Sequence, residues 1–173
     1  MPDNVLSVSI GELVVSNNQD DVLVAYGLGS CVAVCMYDPT AKVAGMIHSL
    51  LPKSAKNNGF EKQTAKFVDQ GVPLLVDSIL KAGAQRQRLN VYLAGGAQML
   101  SAPGFSNSLN IGARNISTAE EILRATGFRI LAQSTGGNSG RTVKLFVGSG
   151  KITVKTLGQG EVTLSPELSF SKV

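Results

Sequence analysis

The stretch CVAVCMYDPTAKVAGMIHSLL, residues 31–51, constrains the fold more than any other part of the chain. Two apolar, β-rich runs, Cys31 to Tyr37 and Lys42 to Leu51, flank Asp38-Pro39-Thr40. Proline presets φ and an aspartate side chain can bond the backbone that follows it, so these three residues read as a turn between antiparallel strands. Pro52 ends the second run. With the turn centred between Pro39 and Thr40, the register sets Cys31 directly opposite His48, Ala33 opposite Met46 and Cys35 opposite Ala44. Directly opposite residues share a face, with Cα atoms about 4.5–5.5 Å apart. A bulge would break that register.

Around this hairpin the pattern alternates between strands and helices. Val5 to Val15 alternates weakly and reads as one strand, and Asp21 to Tyr26 is a short apolar strand. Lys53 to Gly59 is a polar loop. Phe60 to Ala82 has helical spacing, with Phe67, Val68, Leu74, Leu75, Ile79 and Leu80 on one face. Gly71 and Pro73 interrupt it, so a kink or two helices is expected, with Gly83 as the stop. Leu89 to Ala94 is a strand that runs into Gly95-Gly96, and Ser101 to Asn110 is a loop. Ile111 to Thr126 is a helix closed by Gly127, and Phe128 to Gln133 is a strand. After the glycine-rich turn 136–140, Arg141 to Val147 and Lys151 to Leu157 form a hairpin around Gly148-Ser149-Gly150. The tail, 160–173, is ordered only if it docks on the body. The reading is a mixed α/β (α+β) fold in a single domain, residues 1–173, without repeats or linkers.

Composition excludes several classes of function. Apolar residues make up 43% of the chain, enough for a folded core. The net charge of +4 is mild and scattered. The densest basic cluster, Lys81 to Arg88, has no interleaved aromatics and reads as a solvated helix end, not a nucleic-acid surface. No run of about 20 apolar residues exists to insert in a membrane. The N-terminus lacks the pattern of a signal peptide, so a cytoplasmic location is expected. Cys31 and Cys35, on one strand, would stand roughly 13 Å apart. That is too far for a disulfide or a shared metal ion, and one histidine with one cysteine is a poor zinc set. No metal and no cofactor are expected.

The chemistry concentrates at GLGSC, residues 27–31, and at His48, the single histidine. A thiol at neutral pH is mostly protonated; a neighbouring imidazole takes the proton and stabilises the thiolate, which predicts a depressed pKa at Cys31. Cys31 is thus a nucleophile with His48 as base, or a core cysteine beside a tight turn. Gly29 and Ser30 would bring backbone N–H groups near a developing oxyanion. Cys35 has no basic partner and reads as buried and inert. GLGSC is not a dinucleotide fingerprint, because Val32 stands at the third glycine and a strand follows.

These residues resemble a known family. GLGSCVAVCMYDPTAKVAGMIHSLLP (27–52), then Leu93-Ala94-Gly95-Gly96-Ala97, Ile111-Gly112-Ala113-Arg114-Asn115, Gly136-Gly137 and Gly140-Arg141 are similar to the CheD family of chemoreceptor glutamine deamidases. The resemblance runs from about residue 8 to residue 157. It implies a β-sandwich-like core of mixed strands flanked by helices, related to the catalytic domain of cytotoxic necrotizing factor toxins. It implies hydrolysis of a glutamine side-chain amide on chemoreceptor cytoplasmic helices, with Cys31 attacking and His48 as acid and base. It implies a second partner, a CheC-type phosphatase. Gly27, Gly95, Gly96 and Asn115 are expected on the substrate or partner surface. One position departs: the family's third catalytic residue, a threonine, is Ala25 here. The group that orients the imidazole must then be something else, such as a backbone carbonyl, with Ser30 a lesser candidate and Ser49 facing the opposite side. Two other readings compete: a non-catalytic adaptor that binds receptors and regulates the phosphatase, and a hydrolase of small amides.

Overall fold

The computed structural model describes residues 4–54, 64–99 and 110–164. Among them are ten strands: β1 (Asn4–Ser7), β2 (Leu13–Ser16), β3 (Asp21–Leu28), β4 (Val32–Asp38), β5 (Val43–Ser49), β6 (Asn90–Gly95), β7 (Ile130–Thr135), β8 (Arg141–Phe146), β9 (Ile152–Thr156) and β10 (Glu161–Thr163). Two α-helices, α1 (Val68–Lys81) and α2 (Ile111–Ala125), and a short 3-10 helix at Arg86–Arg88 complete the set. The strands form two five-stranded sheets, ordered β1-β3-β8-β9-β10 and β2-β5-β4-β6-β7. Each sheet holds one parallel pair, β1 with β3 and β6 with β7, so both are mixed. The expected mixed α/β class with a sandwich-like core and flanking helices is what the chain forms.

The layers explain why the hairpin strands are apolar throughout. On β4 the odd residues, Ala33, Cys35 and Tyr37, enter the core between the two sheets with Leu23, Met46 and Val143. The even residues, Val32, Val34 and Met36, enter a second core under the helices with Val72, Leu75, Ile79 and Leu123. A strand buried on both faces needs no polar alternation. Each large apolar side chain taken from water there stabilises the fold by about 1.5–3 kcal/mol.

Four readings of the sequence change. Val5 to Val15 is not one strand: β1 joins one sheet and β2 the other, and the chain crosses between them at residues 8–12. The 60–82 helix is a single helix from Val68, its earlier residues lying partly outside the described ones. Pro73 does not split α1, because it sits in the second turn with an exposed ring and frees few backbone partners. The first amides of α1 are met by strand-exit carbonyls, Val68 N–H by Leu51 at 2.9 Å and Asp69 N–H by Pro52 at 3.1 Å. The basic cluster is not wholly solvated either. Arg88 makes an ion pair with buried Asp38 at 2.8 Å, and Arg86 lies over the Phe128 ring. The tail docks at least as far as β10, which pairs with β9. The expected loops at 53–59 and 101–110 lie almost wholly outside the described residues.

The fourth correction concerns register. The β4–β5 loop holds four residues, since Asp38 pairs with Val43. Asp38 Oδ1 accepts from the amides of Thr40 at 2.9 Å and Ala41 at 3.0 Å, and Lys42 closes the loop at φ 55°. The register is displaced by two residues from the expected one. Ala33 stands opposite His48, Cys35 opposite Met46 and Tyr37 opposite Ala44.

Candidate active site

A two-residue displacement preserves the face on which each side chain points. Cys31, immediately before β4, shares the face of Ala33, and His48 on β5 pairs with Ala33. The two are therefore diagonal neighbours, not directly opposite ones, a relationship with Cα atoms about 7–8 Å apart. Both are buried, at 6% and 3% exposure.

The crossing between β1 and β2 encloses His48. Gly11 N–H donates to the His48 carbonyl at 2.8 Å, and His48 N–H donates to the Glu12 carbonyl at 3.2 Å. Within the same crossing, the Val8 carbonyl lies 2.8 Å from His48 Nδ1. A carbonyl only accepts, so Nδ1 carries the proton and Nε2 carries the lone pair. Nε2 is buried and has no hydrogen-bond partner. That is the tautomer a general base needs, held by a backbone group. Ala25 is fully buried in the core between the sheets and supplies no polar side-chain atom. Ser49 faces the other way, donating to the Ala65 carbonyl at 2.6 Å.

Burial sets the charge state of the pair. It pushes the Cys31 thiol above its ordinary 9.0, opposed by the residue's own backbone amide. It lowers the His48 imidazole below 6.5, opposed by the Val8 carbonyl and by the charge of Glu12. Burial thus favours the neutral form of each group, a direction opposite to the depressed thiol pKa expected at Cys31. Cys35 is fully buried and its thiol is pushed up to about 12, so it stays protonated and inert.

A scaffold of backbone groups and one amide holds the cysteine segment. Gly96 N–H donates to the Cys31 carbonyl at 2.8 Å, and Ala97 N–H to the Gly29 carbonyl at 2.8 Å. Gly95 has φ 111°, and a Cβ there would stand 2.2 Å from the Cys31 carbonyl oxygen. At Gly96 a Cβ would stand 2.4 Å from Ile116. Asn115, fully buried on α2, donates through Nδ2 to the carbonyls of Ser30 at 2.9 Å and Leu50 at 3.0 Å. One amide thus joins the residue before Cys31 to the exit of the strand that carries His48. The surface role expected of Gly95, Gly96 and Asn115 is corrected: all three are buried and support the site from beneath. Gly27 is exposed, as that role requires.

His48 reaches the exterior through a cleft of about 420 Å³ lined also by Val8, Ile10, Tyr26 and Gly27. Ile10 and Tyr26 are each 55% exposed. A larger cleft of about 680 Å³, between the end of α2 and β7, contains neither Cys31 nor His48. Among the described residues no cluster of three or more acidic, histidine or cysteine side chains is arranged to hold a metal. Sequence reasoning missed the Val8 carbonyl, which has no side-chain signature, and the clamp made by Asn115, whose helix-start motif gave no hint of a link to Ser30.

Comparison with known proteins places this geometry in context. The model of the family described as CheD, chemotactic sensory transduction, matches residues 50–156. Relatives extend the similarity over the Cys31 and His48 segments. A protein of Symbiobacterium thermophilum named probable chemoreceptor glutamine deamidase CheD is 43% identical, over 90% of this chain and 94% of its own length. One of Thermotoga maritima named chemoreceptor glutamine deamidase CheD is 43% identical, over 89% of this chain and 93% of its own. One of Pyrococcus abyssi, named as the first, is 41% identical, over 91% and 94%.

Proposed function

The chain belongs to the CheD family, and on that premise we propose that it is a cysteine-dependent protein-glutamine deamidase acting on chemoreceptors in chemotaxis. The observation that carries the reading is the state of His48: Nδ1 is bound to the Val8 carbonyl, and Nε2 is buried, unpartnered and on the face of Cys31. A histidine kept only for packing would not require a desolvated lone pair left unpaired, which costs free energy.

In the reaction, His48 Nε2 takes the thiol proton as Cys31 Sγ bonds to the side-chain amide carbon of a substrate glutamine. The carbonyl π pair moves onto oxygen, and backbone N–H groups of the Gly29–Ser30–Cys31 segment are proposed as donors to that oxyanion. As the carbonyl re-forms, the C–N bond breaks, and the imidazolium gives its proton to the leaving nitrogen, releasing ammonia. Water, deprotonated by the same nitrogen, then attacks the thioester; the C–S bond breaks, the thiol is restored and glutamate is left. No cofactor is needed for any step.

The partners follow from the same reading. Receptor cytoplasmic helices are the substrate, approaching through the cleft where Gly27, Ile10 and Tyr26 are exposed. A CheC-type phosphatase as a second partner rests on the family resemblance alone. A cytoplasmic location is proposed with it, and among the described residues no helix is long and apolar enough to cross a membrane. The adaptor reading draws on one observation, the missing hydroxyl at Ala25. Ammonia release from receptor cytoplasmic fragments decides between them. The deamidase releases ammonia in proportion to glutamine lost, whereas an adaptor binds the fragments and releases none.

A further inference from the structure

Ser9 to Glu12 form the tight turn of the crossing between β1 and β2. The Glu12 N–H donates to the Ser9 carbonyl at 2.9 Å, and Gly11 takes φ 84°, a left-handed conformation that glycine adopts without strain. Two bonds dock this turn on the backbone of His48. Gly11 N–H reaches the His48 carbonyl at 2.8 Å, and the Glu12 carbonyl accepts from the His48 N–H at 3.2 Å. The Glu12 side chain folds back over the same turn, where its Oε1 accepts from the Ser9 N–H at 2.8 Å.

That N–H belongs to the same peptide group as the Val8 carbonyl, which accepts from His48 Nδ1 at 2.8 Å. One hydrogen-bonded chain therefore runs from the imidazole to the Val8 carbonyl, across the peptide to the Ser9 N–H, and on to the Glu12 carboxylate. Hydrogen bonds in series polarise one another, so a carboxylate that accepts from a peptide N–H makes the carbonyl of that peptide a stronger acceptor. The peptide is also tied at both ends, which fixes where its carbonyl points. Charge acts in the same direction, since the negative charge of Glu12 favours the protonated imidazole. The other ionisable groups around His48 are the Cys31 thiol, the Tyr26 phenol that lines the same cleft, and Lys66 beside Gly11, whose ammonium stands over the Phe67 ring at 5.6 Å. β1 and β2 carry no charged side chain, and those of β3 and β4, Asp21 and Asp38, lie at the strand ends away from His48.

We propose that Glu12 is a positioning residue for the base: its carboxylate does through the Val8–Ser9 peptide what the acidic member of a Ser-His-Asp triad does by direct contact. The inference rests on the deamidase reading and deepens it by naming the acidic group behind His48. Glu12 makes no hydrogen bond of its own to the imidazole ring and acts through the backbone. It keeps the proton on Nδ1, leaves Nε2 free to take one from Cys31, and stabilises the imidazolium once that proton has moved. Its side chain is exposed, so the part due to charge weakens in salt, while the part due to the hydrogen bond does not.

The test separates the bond from the charge. Glu12→Ala removes both, whereas Glu12→Gln removes the charge and keeps an oxygen for the Ser9 N–H. Asp77→Ala, which removes an exposed carboxylate paired with Lys81 on α1, makes the same change in net charge away from His48 as a control. The chain has one histidine, so nitrogen NMR reads its ring without overlap. On receptor cytoplasmic fragments, Glu12→Ala should lower kcat about tenfold with KM within about twofold, and its ring should lose the single Nδ1–H form. Glu12→Gln should keep that form and hold kcat within about threefold of wild type. Both variants should move the imidazole titration and the acid limb of kcat to lower pH, and added salt should shrink that difference from wild type. Asp77→Ala should change neither. A Glu12→Ala ring that matches wild type, a Glu12→Gln protein no better than Glu12→Ala, or an equal shift in Asp77→Ala overturns the role. Should Glu12→Ala not fold, Glu12→Gln decides alone, and a wild-type titration there overturns the proposal. If wild-type protein converts no glutamine, the deamidase reading fails by itself. The NMR measurements still decide whether Glu12 positions His48: loss of the Nδ1–H form in Glu12→Ala and its return in Glu12→Gln uphold it, and an unaltered ring overturns it.

Discussion

His48 Nδ1 donates to the backbone carbonyl of Val8 at 2.8 Å, and on the proposed deamidase reading this bond does the orienting work that Ala25 has no hydroxyl to do. A carbonyl can orient an imidazole and select its tautomer as well as a threonine oxygen can. Restoring a hydroxyl should therefore gain little. Ala25→Ser is predicted to change kcat/KM by less than about threefold, because the base is already oriented. A gain above tenfold would mean that Val8 does not fill the role. Nitrogen NMR of the single histidine should show the proton on Nδ1 and an unprotonated Nε2.

The shared burial of the pair has consequences for pH. Burial lowers His48 below 6.5, so the base is active through neutral pH and is lost only in acid. Burial raises Cys31 above 9.0, so the thiol keeps its proton until well into alkali. A kcat/KM profile with an acid limb below pH 6.5 and an alkaline limb above pH 9 is expected. Stability follows the same groups. A histidine whose folded pKa is depressed contributes above its unfolded value, and that contribution is lost as pH falls through the folded one. A cysteine whose folded pKa is raised contributes below its unfolded value, and that contribution is lost as pH rises through the folded one. In His48→Gln protein the histidine part of the acid-side loss should vanish, as read from denaturant midpoints across pH.

Asn115 links the segments that carry Cys31 and His48 through the Ser30 and Leu50 carbonyls. Asn115→Ala removes both donors and leaves two carbonyls without them, a cost of about 2–4 kcal/mol. Leu123→Ala, in the core on the same helix, should cost a similar amount by opening a cavity. The two should separate in kinetics. Asn115→Ala is predicted to lower kcat about tenfold or more and to slow alkylation of Cys31, with KM little changed. Leu123→Ala should leave kcat near wild type. Equal kcat in both variants would reduce Asn115 to a fold-stabilising residue.

The hairpin was legible in the sequence, and so was the face shared by Cys31 and His48, because alternation survives an even shift. The direct opposition was not. It fails because Asp38 does not act as a local turn residue alone. Its carboxylate is fully buried, bonded to the Thr40 and Ala41 amides, to the Gln85 amide at 2.8 Å and to Arg88, fifty positions away. These partners select a four-residue loop, and nothing between residues 37 and 44 announces Gln85 or Arg88. The split of Val5 to Val15 was hidden for a similar reason. Which sheet each half joins is decided by β3 and β5, and the Val8 carbonyl becomes available only because the chain crosses there.

That anchoring predicts a stability effect separate from catalysis. Burial alone would raise the Asp38 carboxyl, but the Arg88 guanidinium and the amides of Gln85, Ala41 and Thr40 outweigh it and hold the group well below the usual carboxylate range. Its contribution is present above pH 3.8, the ordinary value, and is lost as pH falls through the lower folded one. Asp38→Ala should cost about 3 kcal/mol in denaturant unfolding, since it leaves Arg88 and three amides without their acceptor. A cost below about 1 kcal/mol would show that the loop and its register do not depend on this carboxylate.

Mass spectrometry of receptor cytoplasmic fragments, after incubation with wild-type, Cys31→Ala and His48→Ala proteins side by side, decides whether the chain is a cysteine-dependent deamidase. Wild type should convert glutamine to glutamate at defined positions, and neither variant should do so above the uncatalysed background. Conversion by Cys31→Ala at the wild-type rate, or no conversion by wild type of a fragment it binds, would contradict that reading.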